Sequence, residues 1–282
     1  MNNKYWSVLF LLVPVLGVGL FVYAPLADWW LPQDVSTYGH RIDRLFYIIL
    51  GITGVVFVGV QGLFVYFIYK YRSDEPGRAK YVHGHHTLEL VWSIVPAGIL
   101  VFIAVAQMST WADIKFRKRM PAGEPLAEVM ARQFEWQIRY PGPDGKLGTI
   151  DDIFAVNDFH VPVDQPIKIA LKTSDVLHSF FVPEFRVKQD AVPGLTIPVW
   201  FEVTKTGQYE LMCAELCGWG HYKMRGRVTV QTPEEFKAWL AKQKAEQDQD
   251  QADEPERIQQ TEVSRRSQIE TVAGELDQKD EL

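Results

Sequence analysis

The chain has 282 residues, with 29 Lys+Arg against 35 Asp+Glu, a formal net charge of −6, 47% hydrophobic residues and 2 Cys. The charge is localised: residues 241–282 carry 6 Lys+Arg and 12 Asp+Glu, which leaves 23 of each in a neutral body over residues 1–240. A neutral body lacks the basic face that nucleic-acid binding requires. Two cysteines outside any C-x-x-C-H haem attachment are too few for a disulfide-built domain.

Three apolar stretches come first in chain order. The run from Tyr5 to Tyr23 follows Lys4 and reads either as a secretory signal or as a transmembrane helix. It is longer than the roughly 7–15 residues of a signal core, and Pro25 follows the small residue Ala24, so a retained helix is expected. The second run, Leu45 to Tyr69, and the third, Leu88 to Met108, each reach the ~20 residues that cross about 30 Å of hydrocarbon. Tyr66, Tyr69, Lys70 and Arg72 anchor the end of one, and Trp92 and Trp111 bracket the other, as aromatic and basic residues do at membrane interfaces.

The short loop between these two spans carries Lys70, Arg72, Arg78 and Lys80, and short basic loops stay in the cytoplasm. Everything after Trp111 then lies outside, although Lys115, Arg117, Lys118 and Arg119 run against that rule. His83, His85 and His86 precede the third span as interfacial residues without a metal-ligand set. The expected organisation is an apolar segment and exterior linker over 1–41, a transmembrane hairpin over 42–112, an exterior domain over 113–240 and an acidic tail over 241–282.

Short alternating runs, as in Lys168–Lys172, Pro198–Thr204, Gln208–Cys213 and Arg225–Gln231, predict a β-sandwich or barrel. The polar, turn-rich stretch Tyr140–Asp152 reads as a solvated hairpin turn. A helix follows the strands, with Thr232 as N-cap, Pro233 at the first helical position and Glu235 completing a capping box. Phe236, Trp239 and Leu240 give it an apolar face. Beyond about Gln243 no apolar periodicity remains, and a disordered tail is predicted. Its last residues, Lys279-Asp280-Glu281-Leu282, spell an endoplasmic-reticulum retrieval signal, which an acidic tail on a multi-span membrane protein matches by chance.

The densest chemistry lies in Met212-Cys213-Ala214-Glu215-Leu216-Cys217-Gly218-Trp219-Gly220-His221-Tyr222-Lys223-Met224. Thiolate, imidazole and thioether together are the donor set of copper rather than of a hard cation. A single-copper carrier needs one Cys, two His and a weak Met; two Cys let both sulfurs bridge two ions. His178, just after a predicted strand, supplies the second imidazole. A disulfide between Cys213 and Cys217 leaves His221 and Met224 without a purpose, and a zinc site has no use for the thioether.

Two transmembrane helices, Asp175-Val176-Leu177-His178-Ser179-Phe180, Lys188-Gln189-Asp190-Ala191-Val192-Pro193-Gly194 and the Cys213–Met224 loop together resemble subunit II of the cytochrome c oxidases of the haem-copper family. The resemblance covers about Leu45 to Leu240. It implies a membrane-anchored α + β chain whose exterior domain is a cupredoxin-like barrel carrying the dinuclear copper centre called CuA. It also implies that His178, Cys213, Cys217, His221 and Met224 ligate copper through side chains and Glu215 through its carbonyl. The Glu215 carboxylate would reach a magnesium ion shared with subunit I. Electrons would come from an exterior c-type cytochrome and pass to haem in subunit I, where oxygen is reduced to water, within a proton-pumping complex of further oxidase subunits in a bacterial-type plasma membrane.

Two further positions follow from the same resemblance. Glu89, in Glu89-Leu90-Val91-Trp92, matches an acid at the cytoplasmic mouth of a proton channel; the alternative is a carboxylate that caps the helix N-terminus. In Arg132-Gln133-Phe134-Glu135-Trp136, Phe134 stands where the family has the Trp through which electrons enter, and Trp136 is the retained second Trp. Two rival readings are a membrane-anchored copper carrier and the copper domain of a nitrous oxide reductase, which would not need the Glu89 helix. The copper ligands argue against a quinol oxidase. The chain has too few membrane histidines to reduce oxygen by itself.

Overall fold

The computed structural model describes residues 3–27, 29–71, 81–116, 118 and 120–253. Three helices open it: α1 Asn3–Tyr23, α2 Gly39–Lys70 and α3 His86–Lys115. All three are long and apolar enough to cross a membrane. At 1.5 Å per residue the 32 residues of α2 and 30 of α3 outrun ~30 Å of hydrocarbon, so both project beyond it. The first apolar stretch is a helix packed on α2, with Phe10 edge-on to Phe64 at 5.5 Å and Trp30 stacked on Tyr47 at 6.1 Å.

Beyond α3 lies a β-sandwich of ten strands: β1 Ala127–Arg132, β2 Glu135–Tyr140, β3 Ile153–Val156, β4 Asp158–Pro162, β5 Pro166–Thr173, β6 His178–Val182, β7 Val187–Ala191, β8 Ile197–Glu202, β9 Gly207–Cys213 and β10 Arg225–Gln231. They form two five-stranded sheets, ordered β3-β2-β1-β5-β8 and β4-β10-β9-β6-β7. The pairs β1–β5 and β10–β4 are parallel; the others are antiparallel. Alternation dictates the packing. In β2, Trp136, Ile138 and Tyr140 point inward and are fully buried; Phe159 and Phe180 of the facing sheet, and Phe201 of β8 in the same sheet, fill the space around them. Each such side chain contributes about 1.5–3 kcal/mol by leaving water.

Residues 233–253 form α4. The predicted capping box is present: the Thr232 amide donates to Glu235 Oε2 at 2.9 Å, and the Glu235 amide to Thr232 Oγ1 at 3.3 Å. Trp239 stacks flat on His160 at 3.9 Å, seating the helix on the sandwich. The helix runs on past the expected boundary at 240 to residue 253, through a segment with no apolar face. Polar contacts hold it there. Gln247 Nε2 donates to the Asp152 carbonyl at 2.9 Å and its Oε1 accepts from the Phe154 amide at 3.0 Å, pairing with the edge strand β3, while Lys244 meets Asp248 at 2.7 Å. Residues 254–282, with the terminal Lys-Asp-Glu-Leu, lie outside the described residues, as do Arg72, Arg78, Lys80, Arg117 and Arg119.

The sandwich is seated on the helices by the last strand of each sheet. Trp200 on β8 donates its indole N–H to the Ile114 carbonyl at 2.9 Å, and Tyr38 OH donates to the Trp200 carbonyl at 3.1 Å. On β7, Gln189 accepts from Lys115 Nζ at 2.6 Å. Arg186, just before β7, meets Asp43 of α2 at 2.6 Å. The linker adds a bridge between Ser36 and Val203. Arg41 and Asp113 clasp α2 to α3 at 2.7 Å.

Candidate metal centre

His178 opens β6 and Cys213 closes β9, and the two strands pair antiparallel with Phe180 opposite Cys213. The loop between β9 and β10 closes where it starts, because the Cys213 amide donates to the Met224 carbonyl at 3.1 Å; the Ala214 amide donates to the Ser179 carbonyl at 3.0 Å and pins the loop to β6. Gly218 has φ +137°, and a Cβ at Gly220 would lie 2.5 Å from the Phe134 ring. The β1–β2 turn therefore presses against a loop backbone that only glycine permits there. Gln133 Nε2 fixes the approach by donating to the Cys217 carbonyl at 2.5 Å.

Side chains converge within this frame. Cys213 Sγ and Cys217 Sγ are 3.9 Å apart, well beyond the ~2.05 Å of a disulfide bond, and both thiols are free. Cys213 Sγ lies 3.8 Å from His178 Nδ1 and 3.2 Å from the Glu215 carbonyl oxygen. Cys217 Sγ lies 3.7 Å from His221 Nδ1 and 3.9 Å from Met224 Sδ. Each thiol thus has one imidazole and one weak donor close to it.

That arrangement fits a pair of copper ions. A copper site with thiolate, imidazole and a distant Met or backbone oxygen is a known electron-transfer environment. Two sulfurs that each bond both ions at ~2.3 Å can be at most about 4.6 Å apart, and the observed spacing satisfies this. His178 is fully buried, Cys217 and Met224 nearly so.

Electrostatics point the same way. Burial pushes the Cys213 thiol up, but the His178 imidazole and the Ser179 amide outweigh it and bring the thiol down to about 6. Burial and the neighbouring Cys213 push Cys217 up to about 11. Only one thiol is therefore readily ionised without a metal, and a cation that binds both must displace the second proton. Burial disfavours the charged His178 ring, yet its bonds to Cys213 and Asp175 outweigh that and raise its affinity for a proton. Asp175 Oδ1 lies 2.8 Å from His178 Nε2, the carboxylate–imidazole arrangement that orients a metal-binding histidine.

The other singled-out residues are dispersed. Phe134 sits in the β1–β2 turn against the metal loop, edge-on to Trp219 at 5.2 Å. Trp136 is fully buried, with its ring 6.4 Å from that of His178, so a docking protein cannot touch it. Glu89 lies in the first turn of α3. Its Oε1 accepts from the His85 amide at 3.3 Å and its Oε2 is 3.8 Å from His86 Nδ1, which is the geometry of an N-terminal cap, with the side chain half exposed. Trp219, which the sequence reading passed over, is 80% exposed in the middle of the metal loop; a large aromatic between two ligand positions was the available signal.

Comparison with known proteins agrees with this architecture. The family model described as cytochrome C oxidase subunit II, periplasmic domain, matches residues 128–231, and that for the transmembrane domain of the same subunit matches residues 26–109. The alternative cytochrome c oxidase subunit 2 of Bradyrhizobium diazoefficiens is 33% identical over 257 residues, spanning 83% of this chain and 91% of that protein. Cytochrome c oxidase subunit 2 of Thermostichus vulcanus is 29% identical over 267 residues, spanning 76% and 79%. Among solved structures, the periplasmic domain of cytochrome oxidase subunit II of Bradyrhizobium japonicum is 29% identical and covers 45% of this chain and 98% of its own, with a TM-score of 0.40. A membrane-anchored chain whose two successive segments both match one subunit, and whose relative is matched over nearly its full length, belongs to the cytochrome c oxidase subunit II family.

Proposed function

We propose that this chain is the electron-accepting subunit of a haem-copper oxidase and that its exterior domain holds a dinuclear CuA centre. The observation that carries the reading is a pair of free thiols 3.9 Å apart with two imidazoles, a thioether and a carbonyl oxygen gathered around them. Cys213, Cys217, His178, His221, Met224 and the Glu215 carbonyl would hold the two ions. When bound, the copper pair supplies one-electron redox chemistry that spreads the charge over two metals. The chain's own residues keep that step fast: the buried ligands exclude water, and Asp175 fixes the His178 ring so that little rearranges on reduction.

An exterior c-type cytochrome supplies the electrons, with Phe134 at the surface of the site and Trp136 packed behind His178. Subunit I receives them and reduces oxygen to water within the complex of further oxidase subunits. The Glu215 carboxylate binds the magnesium ion shared with subunit I. Glu89 stands at the cytoplasmic mouth of a proton channel, which its exposed position at the start of α3 leaves free for a partner subunit to cover. The working division of the chain is an N-terminal apolar segment and linker (1–41), a transmembrane hairpin (42–112), the copper domain (113–240) and the acidic segment (241–282). Paramagnetic resonance with metal analysis tests the reading. An electron shared by two copper nuclei gives a seven-line pattern at two coppers per chain. One copper per chain with a four-line pattern would overturn it in favour of a single-copper carrier.

A further inference from the structure

Loop 213–224 exposes an aromatic surface that the ligand set does not use. Trp219 and Tyr222 are 80% and 67% exposed, although large aromatic rings gain most from leaving water. The rings are not loose. Trp219 is held edge-on by Phe134 at 5.2 Å and 68°, and Lys223 Nζ lies 5.9 Å from the Trp219 ring centre and 5.5 Å from that of Tyr222. In sequence Trp219 stands two residues from Cys217 and two from His221.

The seating of the sandwich decides what can meet this surface. The domain rests on the helices through β7 and β8. In one sheet β6 separates β7 from β9, and in the other β5 separates β8 from β1. At about 4.8 Å per strand, the Phe134 turn and the start of the metal loop stand about 10 Å away from the seated edge. The exposed rings are therefore not covered by the helices that seat the domain. The Asp175 carboxylate, which accepts from the Gln133 amide at 2.7 Å, borders the same surface. With one ammonium, Lys223, and one carboxylate, Asp175, beside them, the rings present no strong field of either sign, and flat apolar contact is what they offer to the exposed edge of a haem.

We propose that Trp219 is the donor-facing ring on which the haem edge of the exterior c-type cytochrome docks, with Phe134 supporting it, and that the electron passes from there to the Cys217 and His221 ligands. The step moves one electron: ferrous haem iron becomes ferric, the copper pair gains the electron, and no bond or proton is transferred. This inference rests on the copper reading above.

The test uses the assembled oxidase, a small soluble c-type cytochrome as donor and its zinc-porphyrin derivative as a redox-inert binding probe. Trp219→Leu is expected to weaken zinc-cytochrome binding by about tenfold or more, as loss of a central aromatic anchor does. It should slow copper reduction at least as much, with the seven-line signal and the copper-to-haem phase unchanged. Trp219→Phe should restore most of both. Unchanged donor binding and reduction in Trp219→Leu would overturn the assignment, and so would a defect confined to the copper-to-haem phase, which would mean that the ring faces subunit I. If Trp219→Leu loses the copper signal, the same two measurements on Trp219→Phe decide: a donor affinity like that of wild type supports the anchor role of an aromatic ring only if Trp219→Ala, loaded with copper, lowers it, and otherwise overturns it. A wild-type complex without the seven-line signal removes the copper reading itself, whereas an intact signal with unmoved donor affinity removes the Trp219 assignment alone.

Discussion

The metal end of the sandwich and the first turn of α3 are built on opposite plans. At the metal end, His178 and Cys213 are 35 residues apart in sequence and meet because β6 pairs with β9. Trp136, Phe180, Cys217 and Met224 around them are buried, and this chain by itself supplies all the donors of the proposed site. At the start of α3, among the described residues, the Glu89 carboxylate meets His85 and His86, within one helical turn, and remains half exposed. A ligand set completed by one fold carries its function with it. A carboxylate with purely local partners already satisfies helix capping, and any further role depends on the subunit that covers it.

The largest test of that contrast is Cys217→Ser. It removes one bridging sulfur and leaves a hydroxyl too hard for the site, so the seven-line signal should vanish and copper content should fall below two per chain. Co-purification with subunit I should be unchanged, since the contacts that seat the sandwich on the helices come from β7, β8 and the linker. A retained seven-line signal would mean that the thiols do not act as a pair. Next in size is Asp175→Ala, which takes away the partner of His178 Nε2. Copper affinity, measured by chelator competition, should drop by about 10–100-fold. An undiminished affinity would show that packing against Trp136 alone orients the ring.

The smallest effect on the metal end comes from Glu89→Gln. The amide oxygen still accepts from His85, so helix stability should change by less than about 0.5 kcal/mol, and the copper spectrum should not move. Proton delivery, followed as steady-state turnover against proton uptake, should slow by up to about tenfold. Normal turnover would leave Glu89 as a cap and nothing more, which sharpens the contrast rather than blurring it.

Much of the candidate site is legible in the chain because its signal is local. Cys213, Glu215, Cys217, His221 and Met224 occupy one short loop, and soft donors at those spacings suit few metals. His178 could be singled out only as a histidine after a strand; the β6–β9 pairing supplies the reason. The aromatic residues were less legible. Phe134 and Trp136 are two apart, a spacing that puts both on one face of a continuous strand, but β2 begins only at Glu135: Trp136 faces the core, and Phe134 sits in the turn. Nothing in the spacing of Trp219 announces that it would remain in solvent, edge-on to a ring distant in sequence.

The sequence alone determined that three stretches are long and apolar enough to cross a membrane, because bilayer thickness sets a length that can be counted. It determined the alternating strands and the capping box at Thr232, because both are rules over a few neighbouring residues. Tertiary structure decided the rest. It gathered one imidazole and one weak donor around each thiol, seated β7 and β8 on the helices, and set Trp219 edge-on to Phe134. It also carried α4 on to residue 253, where Gln247 satisfies an edge strand that no apolar pattern could announce. These outcomes depend on contacts between residues far apart in the chain, whose energies do not exist until the sheets have formed.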